Sequence, residues 1–149
     1  MRVEAINHVC VVVRDRVAAE SFYVRIFEFQ RHHARPTWLL LNETSTLHLV
    51  EIPEATVDES LYHEVQHFAL QVLDLQAVLR RALASGLKPF QMDFEGNTRD
   101  VIDPEDALDF GLGTLFVRDP DGNLVEFLQE GRGIFQPDLR PRIGDAGRW

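Results

Sequence analysis

The chain has almost nothing with which to cross-link itself or to hold an anionic polymer. Cys10 is its only cysteine, so no internal disulfide can form. That usage fits a reducing cytoplasm, the expected location. Lysine is reduced to Lys88, and 15 basic residues face 24 acidic ones, for a formal net charge of −9. A surface of that sign repels phosphate backbones, which argues against nucleic acid as a partner. Long apolar runs are missing too. The first one, within MRVEAINHVCVVV, falls well short of the roughly 20 residues that a membrane-spanning helix needs, and no small-residue cleavage site follows it. It is expected to be a strand, with no membrane partner. At 149 residues, of which 45% are hydrophobic, the chain suits one globular domain or two small packed modules.

What is present is a repeat. INHVCVVVRDRVAAESFYVRIFEF, from Ile6, and VQHFALQVLDLQAVLRRALASGL, from Val65, each open with a His on an apolar run. Each reaches an Asp seven residues later, His8 to Asp15 and His67 to Asp74, and then enters a helical pattern. Leu75, Val78, Leu79, Ala82 and Leu83 recur at helical spacing, and Val17, Phe22, Ile26 and Phe29 do so less regularly. Asp15 and Asp74 suit N-caps, whose carboxylates accept from orphan N–H groups of the first turn. Ser85-Gly86 supplies a stop for the second helix, whereas Glu28 stands where the first would want a glycine.

His63 to His67 read HEVQH, which matches the H-E-x-x-H zinc-protease signature. That chemistry requires a helix, which places both imidazoles on one face with the Glu beside them to activate water. Val65, Phe68, Ala69 and Val72 would share a helix face, so periodicity alone leaves a helix from His63 to Ala84 open. Asp74 is a poor mid-helix residue and a good cap. The matching run at His8 is strongly β-forming. Both observations favour a strand at HFALQV, where the motif cannot form.

The remaining strand signals are WLLLN and STLHLVEI in the first half, and KPFQMDF, GTLFVRD and NLVEFLQ in the second. Asp119-Pro120-Asp121-Gly122 is a strong turn. The fold class expected is α+β, with a first βαβββ module over residues 1–52, a linker at 53–64, a second βαβββ module at 65–130 and a tail at 131–149. Residues 93–111 form a long loop whose acidic stretch, Asp100 to Asp109, reads as a solvated segment, with a lid over a pocket as the alternative. The tail is expected to serve a subunit contact.

Strand side chains alternate between faces. One face carries Val9, Val11 and Val13, Leu47 and Leu49, Phe68, Leu70 and Val72, and Val125 and Phe127. The other carries His8, Cys10 and Val12, then Thr46, His48 and Val50, then His67, Ala69 and Gln71, then Leu124, Glu126 and Leu128. Three imidazoles and a carboxylate on the second face suggest one divalent metal ion, with Zn, Ni, Co, Mn and Fe(II) all compatible. A carboxylate on an apolar strand needs a partner.

At these residues the chain resembles the vicinal oxygen chelate superfamily, which includes glyoxalases, extradiol dioxygenases and bleomycin-binding proteins. INHVCVVVRDRVAAESFY, HFALQVLDLQAVLRRALASG and above all FVRDPDGNLVEFLQ carry the resemblance, which covers about residues 5–130. It implies paired βαβββ modules whose curled mixed sheets surround a metal-bearing cleft. It also implies metal ligation by His8, His67 and Glu126. His48 stands where glyoxalases carry a Glu, so it is a candidate fourth ligand, a catalytic base beside Glu126, or a pocket residue. Cys10, Gln71, Tyr62 and His63 are candidates for the pocket or for supporting the ligands. The implied activity is a glyoxalase-like lyase or isomerase acting on a small oxygen-chelating molecule or its thiol adduct. The alternatives are an Fe(II) extradiol-type dioxygenase and a non-enzymatic antibiotic-binding protein. A homodimer is the expected assembly.

Overall fold

The computed structural model describes residues 5–55 and 66–136. Two compact units divide the chain: Met1–Phe68 with Arg118–Leu124, and Ala69–Val117 with Val125–Trp149. The DPDGN turn thus belongs with the first unit, although it lies far along the chain. Tyr62 and His63 lie outside the described residues, as does the tail beyond Gln136.

The first unit runs β1 (His8–Val13), α1 (Arg16–Phe27), β2 (Gln30–Arg31), β3 (Trp38–Leu40) and β4 (Thr46–Glu51). Its sheet has the order β1-β4-β3-β2. β1 pairs parallel with β4, and the other two pairings are antiparallel. The sequence signals did not reveal β2, a two-residue strand. α1 begins where Asp15 Oδ1 accepts from the Val17 and Ala18 amides at 2.8 and 3.0 Å. Glu51 Oε1 adds a bond from Arg16 N–H at 2.9 Å, so this carboxylate serves the helix start. The helix buries Ala19, Phe22, Tyr23 and Ile26, a stripe at i, i+3, i+4 and i+7. Val17 does not join it and is exposed. Opposite lie Val11, Val13, Leu39, Leu47 and Leu49, all buried. Burial of each such side chain contributes about 2 kcal/mol.

The second sheet and its helix follow the same plan with one addition. β5 (His67–Val72), α2 (Leu75–Ala84), β6 (Phe90–Met92), β7 (Thr98–Asp100), β8 (Leu115–Arg118) and β9 (Leu124–Gln129) give a sheet of order β5-β9-β8-β6-β7. α2 is capped by Asp74 Oδ1, which accepts from Ala77 N–H at 3.0 Å. It ends at Ser85, followed by Gly86 at φ +77. His67 opens a strand, as the sequence favours, and is not a helical residue; the rest of the H-E-x-x-H match, His63 to Val65, lies outside the described residues. The architecture is α+β, with two mixed modules of βαβββ plan.

β7 is the addition, and it lies inside the segment expected to be a plain loop. It pairs antiparallel with β6. The acidic residues around it are solvated as expected, with Asp100, Asp103, Glu105 and Asp109 exposed, while Val101 and Leu108 are buried and anchor the stretch. Gln91, fully buried on β6, donates to Thr114 O at 3.1 Å. Its Oε1 accepts from Arg99 Nη2 at 2.6 Å and from Phe110 N–H at 3.3 Å. Arg99 also donates to Ala107 O and Asp109 Oδ1. One guanidinium therefore ties the loop to the sheet, offsetting the acidic charge around it. The start of the tail is held in the same unit, where Arg132 donates to Leu108 O and Gly113 O.

Candidate functional site

Alternation in β1 and β4 follows directly from which side meets α1. Val11 and Val13 are buried while His8, Cys10 and Val12 are exposed. Leu47 and Leu49 are buried while His48 is half-buried. The exposed face of the first unit is therefore the one bearing imidazoles.

Register then arranges these side chains. Cys10 lies opposite His48 across the parallel pair, and His48 lies opposite Trp38 across the antiparallel one. The three form a row across β1, β4 and β3. The indole and imidazole of Trp38 and His48 stack at 4.2 Å with an interplanar angle of 6°. Cys10 Sγ lies 3.9 Å from His48 Nδ1. His8 meets the same indole edge-on at 5.0 Å, and its Nδ1 is 3.1 Å from Asn7 Oδ1. Trp38 was not among the residues singled out from the sequence. The available signal was its position in WLLLN, but its facing His48 depends on register between strands, which a single sequence does not give.

The other candidates lie on the second sheet. His67 and Gln71 are on the exposed side of β5, with Phe68 and Val72 on the more sheltered side. Glu126 is buried, and so are Leu124, Val125 and Phe127. β9 is covered on both faces there, so the alternation expected for it is not seen in burial. Neither His67 nor Glu126 is an unengaged side chain.

The DPDGN turn is a hydrogen-bonded hub within the first unit. Asp119 Oδ1 accepts from the Asp121 and Asn123 amides at 2.9 and 2.8 Å. Its Oδ2 accepts from Tyr23 Oη and Asn123 Nδ2, both at 2.9 Å. Asp121 Oδ1 receives Arg14 Nε at 2.7 Å and Arg14 N–H at 3.1 Å. Asn123 Nδ2 also donates to Val12 O at 2.9 Å. Burial pushes the Asp119 carboxyl above its ordinary range, against the opposing pull of these hydrogen bonds. Burial, then the neighbouring Asp119 charge, pushes the Tyr23 phenol well above its own. The acids of this motif are engaged by Tyr23, Arg14 and Asn123 and so hold the fold.

A family model for the Glyoxalase/Bleomycin resistance protein/Dioxygenase superfamily matches residues 5–127. The chain belongs to that superfamily. No curated protein matches it by sequence. Among solved structures it is similar to oxidase ChaP-H2, with 19% identity, 87% of this chain and 94% of that one covered, and a TM-score of 0.62. It is also similar to a lactoylglutathione lyase from Agrobacterium tumefaciens, at 17% identity, 87% and 96% coverage, and a TM-score of 0.57. A third is TnmS3, an antibiotic-binding protein from Streptomyces sp. CB03234, at 22% identity, 87% and 98% coverage, and a TM-score of 0.57. At these identities the likeness concerns the fold.

Members of this superfamily commonly use a divalent metal. Imidazole and carboxylate are donor types that suit such an ion; His8, His48 and His67 offer the first from exposed or half-buried strand positions and Glu126 offers the second. Among the described residues, no three His, Cys, Asp or Glu side chains are grouped so as to hold an ion. No helix among them is long and apolar enough to cross a membrane.

Proposed function

We propose that this chain is a divalent-metal-dependent, glyoxalase-like lyase or isomerase acting on a small molecule with adjacent oxygens, or on its thiol adduct. One observation carries the reading: strand parity turns the imidazoles of His8, His48 and His67 away from the buried side of their strands. His8, His67 and Glu126 are the proposed metal donors. The bound ion would supply Lewis-acid polarisation of the substrate oxygens. Glu126 is the proposed group that takes a proton from the carbon beside the carbonyl. The apolar neighbours that bury it on β9 limit its access to water, which would keep that proton from exchanging.

The test is metal content and turnover together. Protein purified without added chelator is expected to carry about one divalent ion per chain, and His67→Ala or Glu126→Ala to lose it. Isomerisation of hemithioacetals should disappear with the ion. Metal-free protein that is unaffected by either substitution would leave a small-molecule-binding role instead.

A second reading has its own support. His48 is engaged by Trp38 on its face and by Cys10 at Nδ1, which leaves two imidazoles and one carboxylate as donors. That is the donor set of Fe(II) oxygenases, and the similarity to an oxidase accords with it. Iron content with oxygen uptake on catechols would decide for it. The proposal extends to a cytoplasmic protein with no nucleic-acid or membrane partner and to a homodimer, whose mass light scattering on the purified protein would check.

A further inference from the structure

The two imidazoles on the exposed face of the first sheet have different neighbours at the same ring atom. At His8, Nδ1 lies 3.1 Å from Asn7 Oδ1. A carboxamide oxygen only accepts, so Nδ1 carries the hydrogen and Nε2 keeps its lone pair. At His48, Nδ1 lies 3.9 Å from Cys10 Sγ. A thiol sulfur is a weak acceptor, whereas an imidazole nitrogen lone pair is a good one. The favoured arrangement therefore has the Cys10 S–H donating to Nδ1, with the hydrogen of neutral His48 on Nε2. The ring cannot easily swing out of this arrangement, because its face is stacked on Trp38 at 4.2 Å and 6°. Register supports the same geometry, since Cys10, His48 and Trp38 occupy one cross-strand row.

We infer that His8 and His48 are held in opposite tautomers and so serve different purposes: His8 offers a nitrogen lone pair, while His48, positioned by Cys10 and Trp38, presents an N–H to an oxygen of the substrate and does not ligate the metal. The inference rests on the proposed function in taking this face as the one that meets substrate. It adds Trp38 to the site as a positioning residue and gives Cys10 a role other than nucleophile. The class of group recognised by His48 is a carbonyl, enolate or phenolate oxygen.

Long-range proton–nitrogen NMR on metal-free protein reads the tautomers directly, with His8→Gln and His48→Gln used for assignment. Above the pH at which the rings are neutral, His48 should show its hydrogen on Nε2 and His8 on Nδ1. Cys10→Ala should leave His48 a mixture of tautomers, and Cys10→Ser, whose hydroxyl accepts as readily as it donates, should weaken the preference for Nε2–H. Trp38→Phe should retain the pattern and Trp38→Leu should loosen it, even where the two variants melt at the same temperature. A His48 with its hydrogen on Nδ1 overturns the inference. A Ni(II) titration gives the second arm. His48→Gln should bind close to wild type, whereas His8→Gln should weaken binding by at least the roughly 10–100-fold that loss of a mere supporting partner of a ligand costs. Equal losses from both substitutions overturn it as well. Wild-type protein that takes up no Ni(II), Zn(II), Co(II), Mn(II) or Fe(II) would sink the metal-enzyme reading, while the NMR result would still decide the tautomers.

Discussion

The Tyr23 hydroxyl donates to Asp119 Oδ2 at 2.9 Å, joining residues 96 apart in sequence, both buried. This bond fastens the turn before the last strand to the first helix. Tyr23→Phe is expected to cost about 1–2 kcal/mol, because Asp119 Oδ2 retains Asn123 Nδ2 as a donor. Asp119→Ala removes the acceptor for all four bonds and should cost about 3 kcal/mol or more. Urea unfolding of the two variants beside wild type measures the difference, and equal midpoints would contradict the hub.

The same pair makes stability depend on pH in a definite direction. Asp119 has its folded pKa raised above the unfolded value, mainly by burial, so the native state holds its proton more tightly. Its contribution is fully present below the unfolded carboxyl pKa and is lost as pH rises through the folded one. Wild-type stability relative to Asp119→Asn should therefore increase on acidification from neutral pH toward the carboxyl range. Tyr23 is likewise raised, and its contribution should be lost as pH climbs beyond the ordinary phenol pKa near 10. Tyr23→Phe should lessen that alkaline loss. Denaturant melts across pH for both variants test the signs.

Glu28 ends α1 at φ +61, the left-handed region that glycine tolerates best. Its N–H returns to Val24 O at 3.1 Å, so the stop works without the residue that normally makes it. Glu28→Gly is expected to stabilise the protein by about 0.5–1 kcal/mol, the relief of left-handed strain less the added entropy of the unfolded chain. Thermal unfolding of the variant gives the sign. A lowered midpoint would mean that the Glu28 side chain contributes more than its backbone costs.

Gly111 sits at φ +58, and a Cβ there would come within 2.7 Å of the Met92 carbonyl carbon and 2.9 Å of Asp93 Cα. Neither can yield as a flexible side chain would. Gly111→Ala should destabilise by about 2 kcal/mol or more, with the largest loss of amide protection in residues 98–112. Gly86→Ala, at positive φ but with nothing within 4 Å, should cost less. Hydrogen exchange on the two variants separates backbone strain from collision.

The bridge from buried Gln91 to exposed Arg99 should decide whether the acidic loop stays folded. Gln91→Leu keeps the volume but removes an acceptor from Arg99 and from the Phe110 amide. We expect a loss of about 2–3 kcal/mol, with faster exchange at Phe110. Exchange unchanged from wild type would show that Val101 and Leu108 alone hold the loop.

Most of what repeats or alternates was legible in the sequence. Asp15 and Asp74 announced both helix starts, because a cap acts on amides two or three residues away. Parity sorted Val11 and Val13 from His8 and Cys10, because side-chain direction in a strand has a period of two. The DPDG turn was visible for the same local reason. β9 was harder: cover on both faces buries Glu126 beside Val125 and Phe127, which alternation cannot foresee. The charges of the loop at 93–111 are solvated as the sequence suggests, but its anchoring was not legible, because the buried acceptor Gln91 lies on another strand.

The sequence by itself thus determined the paired modules, their caps and the face from which the histidines emerge, all consequences of interactions spanning a few residues. Only the tertiary structure set Trp38 against His48, turned His48 Nδ1 toward Cys10, and brought Tyr23 to Asp119. These depend on strand register and on long-range packing, where a shift of one residue would send every side chain to the opposite face. The pattern of the letters fixes which side chains point outward, and the pairing of strands fixes which of them meet.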